Sequence, residues 1–239
     1  MVPTMKISKT ICDQMKNKKI VYALFDGSGI SVLDWAKAGH TCYCFNADEA
    51  DHGEYFIKME HPNIHYINIW IDEYFHENIN LPPPDIIFSF PSCTFTSGSG
   101  SKHERTDEEK SETLKLAKYV EWLGEEYYDC PWYVENPVGS LSTEWRKPNY
   151  YFHPYEFGGY LTDEEGSFHP HMPLRDGYTK KTCIWCGNGL TWPLKRPVAH
   201  CGYFWGWAKL GGKSTKTKVL RSLTPRGFAR AIFKYNEEN

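Results

Sequence analysis

The 239-residue chain is 41% hydrophobic and 16% aromatic, which supplies a packed core and excludes disorder of the whole. Its formal net charge is −3, so any affinity for nucleic acid has to come from local charge rather than from the chain as a polycation. No run approaches the ~18 apolar residues of a membrane span. Met1 to Lys19 is polar and lysine-rich, without a signal-peptide core. The expectation is a cytoplasmic protein whose eight cysteines are mostly reduced.

Strands and helices alternate through the first half, the pattern of a mostly parallel sheet. The apolar run at residues 19–25 reads as a first strand. A glycine turn follows, Asp26-Gly27-Ser28-Gly29, and then a helix over 31–38, stopped by Gly39. Further strands are expected at 41–46, 64–71 and 85–89, the last introduced by Pro82-Pro83-Pro84. Ser97 to Ser101 is a serine–glycine loop. A long helix starts near Thr106, where Thr106 and Glu109 have capping-box spacing. Leu114, Ala117, Val120 and Leu123 mark its buried stripe. A fifth strand is expected at 132–135 and another at 182–185. Residues 186–221 read as loops and short elements. Thr224-Pro225 has the form of an N-cap followed by a first helical residue, opening a last helix over 225–235.

Glycines after a strand let the backbone turn tightly and approach a ligand. A lone Gly-x-Gly is weak evidence. The next strand adds to it, because it ends in Asp48-Glu49-Ala50-Asp51, about 20 residues on, where a carboxylate can accept hydrogen bonds from a ribose. With no third glycine or basic anchor, the pattern favours S-adenosylmethionine over a dinucleotide.

Cys93 follows an apolar strand through Pro91-Ser92, and Glu135-Asn136-Pro137 ends another. Active-site groups of open α/β sheets gather at that edge. A thiolate beside a carboxyl group suits attack on C6 of cytosine, with N3 protonated or hydrogen-bonded so that C5 becomes nucleophilic.

These motifs resemble the DNA cytosine-5 methyltransferase family, especially its small phage-encoded members. Leu24 to Gly29 with Ala38-Gly39-His40 resembles the first motif, and Asp48 to Asp51 the second. Pro91-Ser92-Cys93-Thr94 resembles the nucleophile motif Pro-Pro-Cys-Gln, and Glu135-Asn136-Pro137 resembles Glu-Asn-Val. Lys180 to Trp185 is similar to the basic strand that approaches the target base, and Arg221 to Ala229 to the closing cofactor segment. The departures are Ser92 for proline, Asn68 for aspartate, lysines for arginines at 180–181, and no evident Gly-Asn in the last motif.

The resemblance implies a Rossmann-like S-adenosylmethionine-dependent methyltransferase fold with a mostly parallel sheet flanked by helices. Residues 1–185 would form the catalytic core, 186–221 a reduced target-recognition segment, and 222–239 a helix returning to the core. Cys93, Glu135 and Lys181 would be catalytic. Phe25, Asp26, Gly27, Gly29, Glu49, Asn68 and Thr224 would hold S-adenosylmethionine. Ser97, Lys209, Lys213, Lys216, Lys218 and Arg221 would meet DNA, expected as a duplex with a flipped cytosine. No obligate protein partner is implied. A phage gene would place the protein in the bacterial host cytoplasm.

Two other readings stay open: a catalytically degenerate fold that binds nucleic acid or a host protein as a regulator, and an enzyme on this scaffold that modifies RNA or a free nucleotide. Cys183-x-x-Cys186 with His200-Cys201 has zinc-type residues, but a strand through 183–186 would point the two cysteines to opposite faces. No metal is expected.

Overall fold

The computed structural model describes residues 18–49, 56–93, 107–168, 170, 172–203 and 214–238, with residues 107–110 and 215 in backbone only. Seven strands form one sheet: β1 (Ile20–Leu24), β2 (Thr41–Asn46), β3 (Ile64–Asn68), β4 (Ile86–Ser89), β5 (Trp132–Pro137), β6 (Tyr150–Phe152) and β7 (Thr182–Gly187). Their spatial order is β3-β2-β1-β4-β5-β7-β6. β1 to β5 are mutually parallel, while β7 runs antiparallel to both β5 and β6. This is a Rossmann-like α/β architecture.

Helices cover both faces, which is why the central strands are apolar on both sides. On one face Val21, Ala23, Phe88, Tyr133 and Ile184 pack against Trp35 and Ala36 of α1 (Leu33–Lys37) and against the last helix. On the other, Tyr22, Leu24, Ile87, Val134 and Trp185 pack on Phe75 of α2 (Phe75–Asn78), on Ala117 and Val120 of α3 (Asp107–Trp122), and on Leu141 of α4 (Leu141–Glu144). α3 runs on into a π-helical turn over Leu123–Tyr127. The chain closes with α5 (Thr215–Ser222) and α6 (Arg226–Asn236).

Connections leave β1 toward β2 and β3 on one side and toward β4 and β5 on the other. The carboxyl ends of β1 and β4 therefore flank the switch point where ligands of open α/β sheets bind.

Several expectations shift. The third strand stops at Asn68 instead of running to Ile71, with Ile69 still bonded to the Asn46 carbonyl at 3.1 Å. The capping box at Thr106 and Glu109 lies outside the described side chains. Residues 186–221 contain α5, whose N-cap Ser214 accepts from the Thr217 N–H at 3.2 Å.

Thr224 does not cap the last helix. Pro225 occupies the N-cap position, and the free N–H of Gly227 is taken by the buried carboxylate of Asp176 at 2.9 Å. A side chain at Gly227 would collide with the Phe157 carbonyl, so the helix start packs too closely for anything larger. A carboxylate from a remote segment replaces the local cap because the helix end is buried.

Among the described residues no helix is long and apolar enough to cross a membrane.

Candidate active site

The turn after β1 is held from inside. Phe25 leaves the strand with φ 60°. The buried Asp26 carboxylate then accepts from the Ser28 N–H, the Ser28 hydroxyl and the Gly29 N–H, each at 2.8 Å, and from the Ser31 hydroxyl at 2.6 Å. Gly29 has φ 70°, and a Cβ there would strike the Tyr66 hydroxyl. That hydroxyl lies 3.0 Å from the Ser28 carbonyl and 2.9 Å from the Met59 carbonyl, which it can serve as donor. Asp26 and Gly29, expected as cofactor contacts, thus shape the turn. Gly27 is buried within it.

Beside the turn lies a cavity of about 180 Å³, lined by Phe25, Asn46, Ala47, Ile69, Trp70, Ile71, Ser92, Glu112, Thr113 and Leu116. These residues come from the carboxyl ends of β1 to β4 and from α3. Among the described residues the lining is mainly apolar, with two aromatic rings, one carboxylate and no basic side chain. A mainly apolar cavity with a few polar groups is the usual form of a small-molecule site.

Phe25 is the expected cofactor residue that lines this cavity. Asn68 does not: its carboxamide oxygen accepts from the Asp48 N–H at 3.1 Å and ties the end of β2 to β3. Glu49 is exposed and outside the lining. Thr224 is buried and also outside it. Trp70, Asn46 and Leu116 are lining residues that the motif reading missed. Trp70, an exposed aromatic just past a strand end, was a signal available in the sequence.

Ser92 forms part of the cavity wall, and Cys93 is the next residue. The Thr113 hydroxyl holds the Ser92 carbonyl at 3.2 Å, and the Asn136 carboxamide donates to the Pro91 carbonyl at 3.0 Å. Cys93 and Glu135 are both half-buried. Burial pushes the Cys93 thiol above its ordinary range. Lys180 pulls it back, the Glu135 charge pushes it further up, and the cysteine's own N–H and Arg221 pull it down. Glu135 is likewise raised by burial, with Lys180 opposing. Cys93, Glu135 and Lys180 therefore share one locality at the carboxyl edge of the sheet.

The basic residue expected there was Lys181. It is exposed, with its ammonium 4.7 Å from the centre of the Tyr151 ring. The charge of Lys180 acts instead on the thiol and the carboxyl group, and its ammonium donates to the Arg221 carbonyl at the end of α5, at 2.9 Å. Lys216 and Arg221 are exposed on α5 and Lys218 is half-buried. Ser97, Lys209 and Lys213 lie outside the described residues.

β7 continues through Cys183 and Cys186 and sends them into different core clusters on opposite faces of the sheet. The seven described cysteines are all free thiols.

No protein-family model matches the chain, and no curated protein matches it significantly. Solved structures with partial likeness include an epimerase, Mth375, from Methanothermobacter thermautotrophicus: 17% identity, 48% of this chain and 36% of that one, TM-score 0.30. They also include a precorrin-6y C5,15-methyltransferase from Geobacter metallireducens GS-15: 9% identity, 60% of this chain and 72% of that one, TM-score 0.27. The chain thus spans about a third of the epimerase's length. These TM-scores reflect overlap of segments, and neither protein's activity carries over.

Proposed function

We propose that the protein is an S-adenosylmethionine-dependent methyltransferase acting at C5 of cytosine in DNA. The observation that supports it most is one of adjacency. Ser92 lines a cavity suited to an adenosyl group, and the residue after it, Cys93, feels the charges of Glu135 and Lys180.

The chemistry follows from these side chains. The Cys93 thiolate adds to C6 of the cytosine, forming an S–C6 bond and leaving C5 electron-rich. Glu135, whose affinity for a proton is raised by burial, hydrogen-bonds N3 and accommodates the charge that develops there. S-adenosylmethionine, when bound, supplies the electrophilic methyl group. A solvent water then takes the C5 proton, the S–C6 bond breaks to return the thiolate, and the aromatic ring is restored. Lys180 stabilises the thiolate and approaches the base, the role first expected of Lys181. Phe25, Trp70 and Ile69 would hold the adenine by ring and edge contact, and Glu112 would face the cofactor's positive charge. In this reading α5 and the rest of 186–221 read the target, with Lys216 and Arg221 meeting phosphates.

The test is nucleoside mass spectrometry of mixed-sequence duplex DNA incubated with the protein and S-adenosylmethionine. New 5-methyldeoxycytidine is the expected product, absent with Cys93→Ser. Modification by the Cys93→Ser variant at the wild-type rate would contradict the mechanism.

A further inference from the structure

The carboxyl edge continues beyond Lys180 into a band of rings and lysines that the reaction above does not use. Thr179 pairs with Tyr203, and its N–H donates to the Gly202 carbonyl at 2.9 Å. The segment leading to Tyr203 is fastened by Val198 N–H to the Tyr155 carbonyl at 3.0 Å and by Cys201 N–H to the Gly177 carbonyl at 2.9 Å. These bonds set the His200 ring 4.1 Å from the Tyr155 ring, centre to centre, with His153 5.9 Å beyond. Lys181 lies over Tyr151 on the same side, and the charges of Lys181, Lys195 and His200 all act on His153.

The band is open to solvent. Tyr203 is 67% exposed, and His200 and Lys181 are exposed as well. Glu156, the carboxylate among them, is engaged by the Lys195 ammonium at 2.8 Å and by the His153 N–H at 2.7 Å. The exposed groups of the band are the His200 and Tyr203 rings and the Lys181 ammonium.

Exposed rings interleaved with lysines suit an unpaired strand: each base offers a face for stacking and each phosphate a charge. A duplex hides those base faces in its own stack. We propose that this band is a track for a single-stranded nucleic-acid segment running to the site, with His200 and Tyr203 stacking on bases and Lys181 neutralising a phosphate. The inference rests on the nucleic-acid substrate proposed above and adds an unpaired flank to it.

The test is fluorescence anisotropy with a labelled mixed-sequence DNA strand, measured alone and as a duplex, over a range of salt. Stacking is worth roughly 1–3 kcal/mol per base. The doubly substituted His200→Ala, Tyr203→Ala protein should therefore lose at least about tenfold in single-strand affinity, with its salt dependence unchanged. Lys181→Gln should reduce the slope of log K against log salt by about 0.7. Three results would overturn the track: no single-strand binding by the wild type, wild-type affinity in the double variant, or equal losses for strand and duplex. Ring-dependent strand binding without any methyl transfer would keep the track and retire the cytosine chemistry. Methyl transfer without ring-dependent binding would do the reverse.

Discussion

The Asn136 carboxamide donates to the Pro91 carbonyl at 3.0 Å, and so ties the tip of β5 to the tip of β4. Glu135 and Cys93 flank that bond in the chain, so it fixes the carboxyl group relative to the thiol. Asn136 is buried, and loss of its side chain leaves the Pro91 carbonyl without this donor. Asn136→Ala should cost about 1–3 kcal/mol of stability. It should also lower kcat more than the unfolded fraction explains. Thermal unfolding and methyl incorporation, compared at a temperature where the variant is folded, check both.

The thiol gives a pH prediction. Burial and Glu135 raise Cys93, whereas Lys180 and Arg221 lower it. In the free protein Cys93 should therefore be largely protonated at neutral pH, and its alkylation by iodoacetamide should climb only above the ordinary thiol range. Glu135→Gln removes a raising charge and should shift the alkylation profile to lower pH. Lys180→Met removes a lowering charge and should shift it to higher pH. Peptide mass spectrometry of Cys93 reads the two shifts, and shifts of the same sign would break the assignment.

Gly29 sits at φ 70° against the Tyr66 hydroxyl. Gly29→Ala combines an unfavourable backbone with overpacking, and should destabilise by roughly 1–3 kcal/mol. Because the same turn bears on the cavity, S-adenosylmethionine binding should weaken too, measurable by calorimetry. Tyr66→Phe should weaken the turn with less effect on binding.

Asp176 caps α6 through Gly227 and is raised by burial, with the Gly227 N–H and Arg226 opposing. Its folded-state value lies above its unfolded one, so the native state holds the proton to higher pH. Its contribution to stability is therefore largest below the unfolded value, about 3.9, and falls as pH rises through the raised folded value. Asp176→Asn keeps an acceptor for Gly227 and cannot ionise, so its stability relative to wild type should improve as pH rises through that window. Asp176→Ala should lose about 1 kcal/mol at low pH, with the deficit shrinking as pH rises through the same window. Denaturant unfolding from pH 4 upward tests the sign.

β1, β4 and β5 were legible because they are apolar on both faces and lead into glycine, proline or acidic residues. Cys93 and Glu135 were legible for the same reason, as each follows such a strand directly. Lys180 and Lys181 were not separable, because β7 begins at Thr182 and strand alternation does not extend to residues outside the ladder. β6 is only three residues long and owes its place to β7 pairing, too little for a periodic pattern to register. The Asp176 cap joins residues 51 apart in sequence, a distance at which local capping rules have nothing to read. Asn68 kept its position and changed its task, since an amide side chain at a strand end can serve the backbone as well as a ligand.

The most direct measurement is the intact mass of the protein after incubation with S-adenosylmethionine and an oligonucleotide carrying 5-fluorocytosine. Fluorine at C5 cannot leave as the proton does, so an S–C6 adduct formed by Cys93 would persist. The account predicts a species with the summed masses of protein and oligonucleotide plus a methyl group gained and the thiol proton lost, mapped to Cys93 and absent with Cys93→Ser. Methyl transfer to ordinary DNA with no trapped species, or an adduct at another residue, would contradict it.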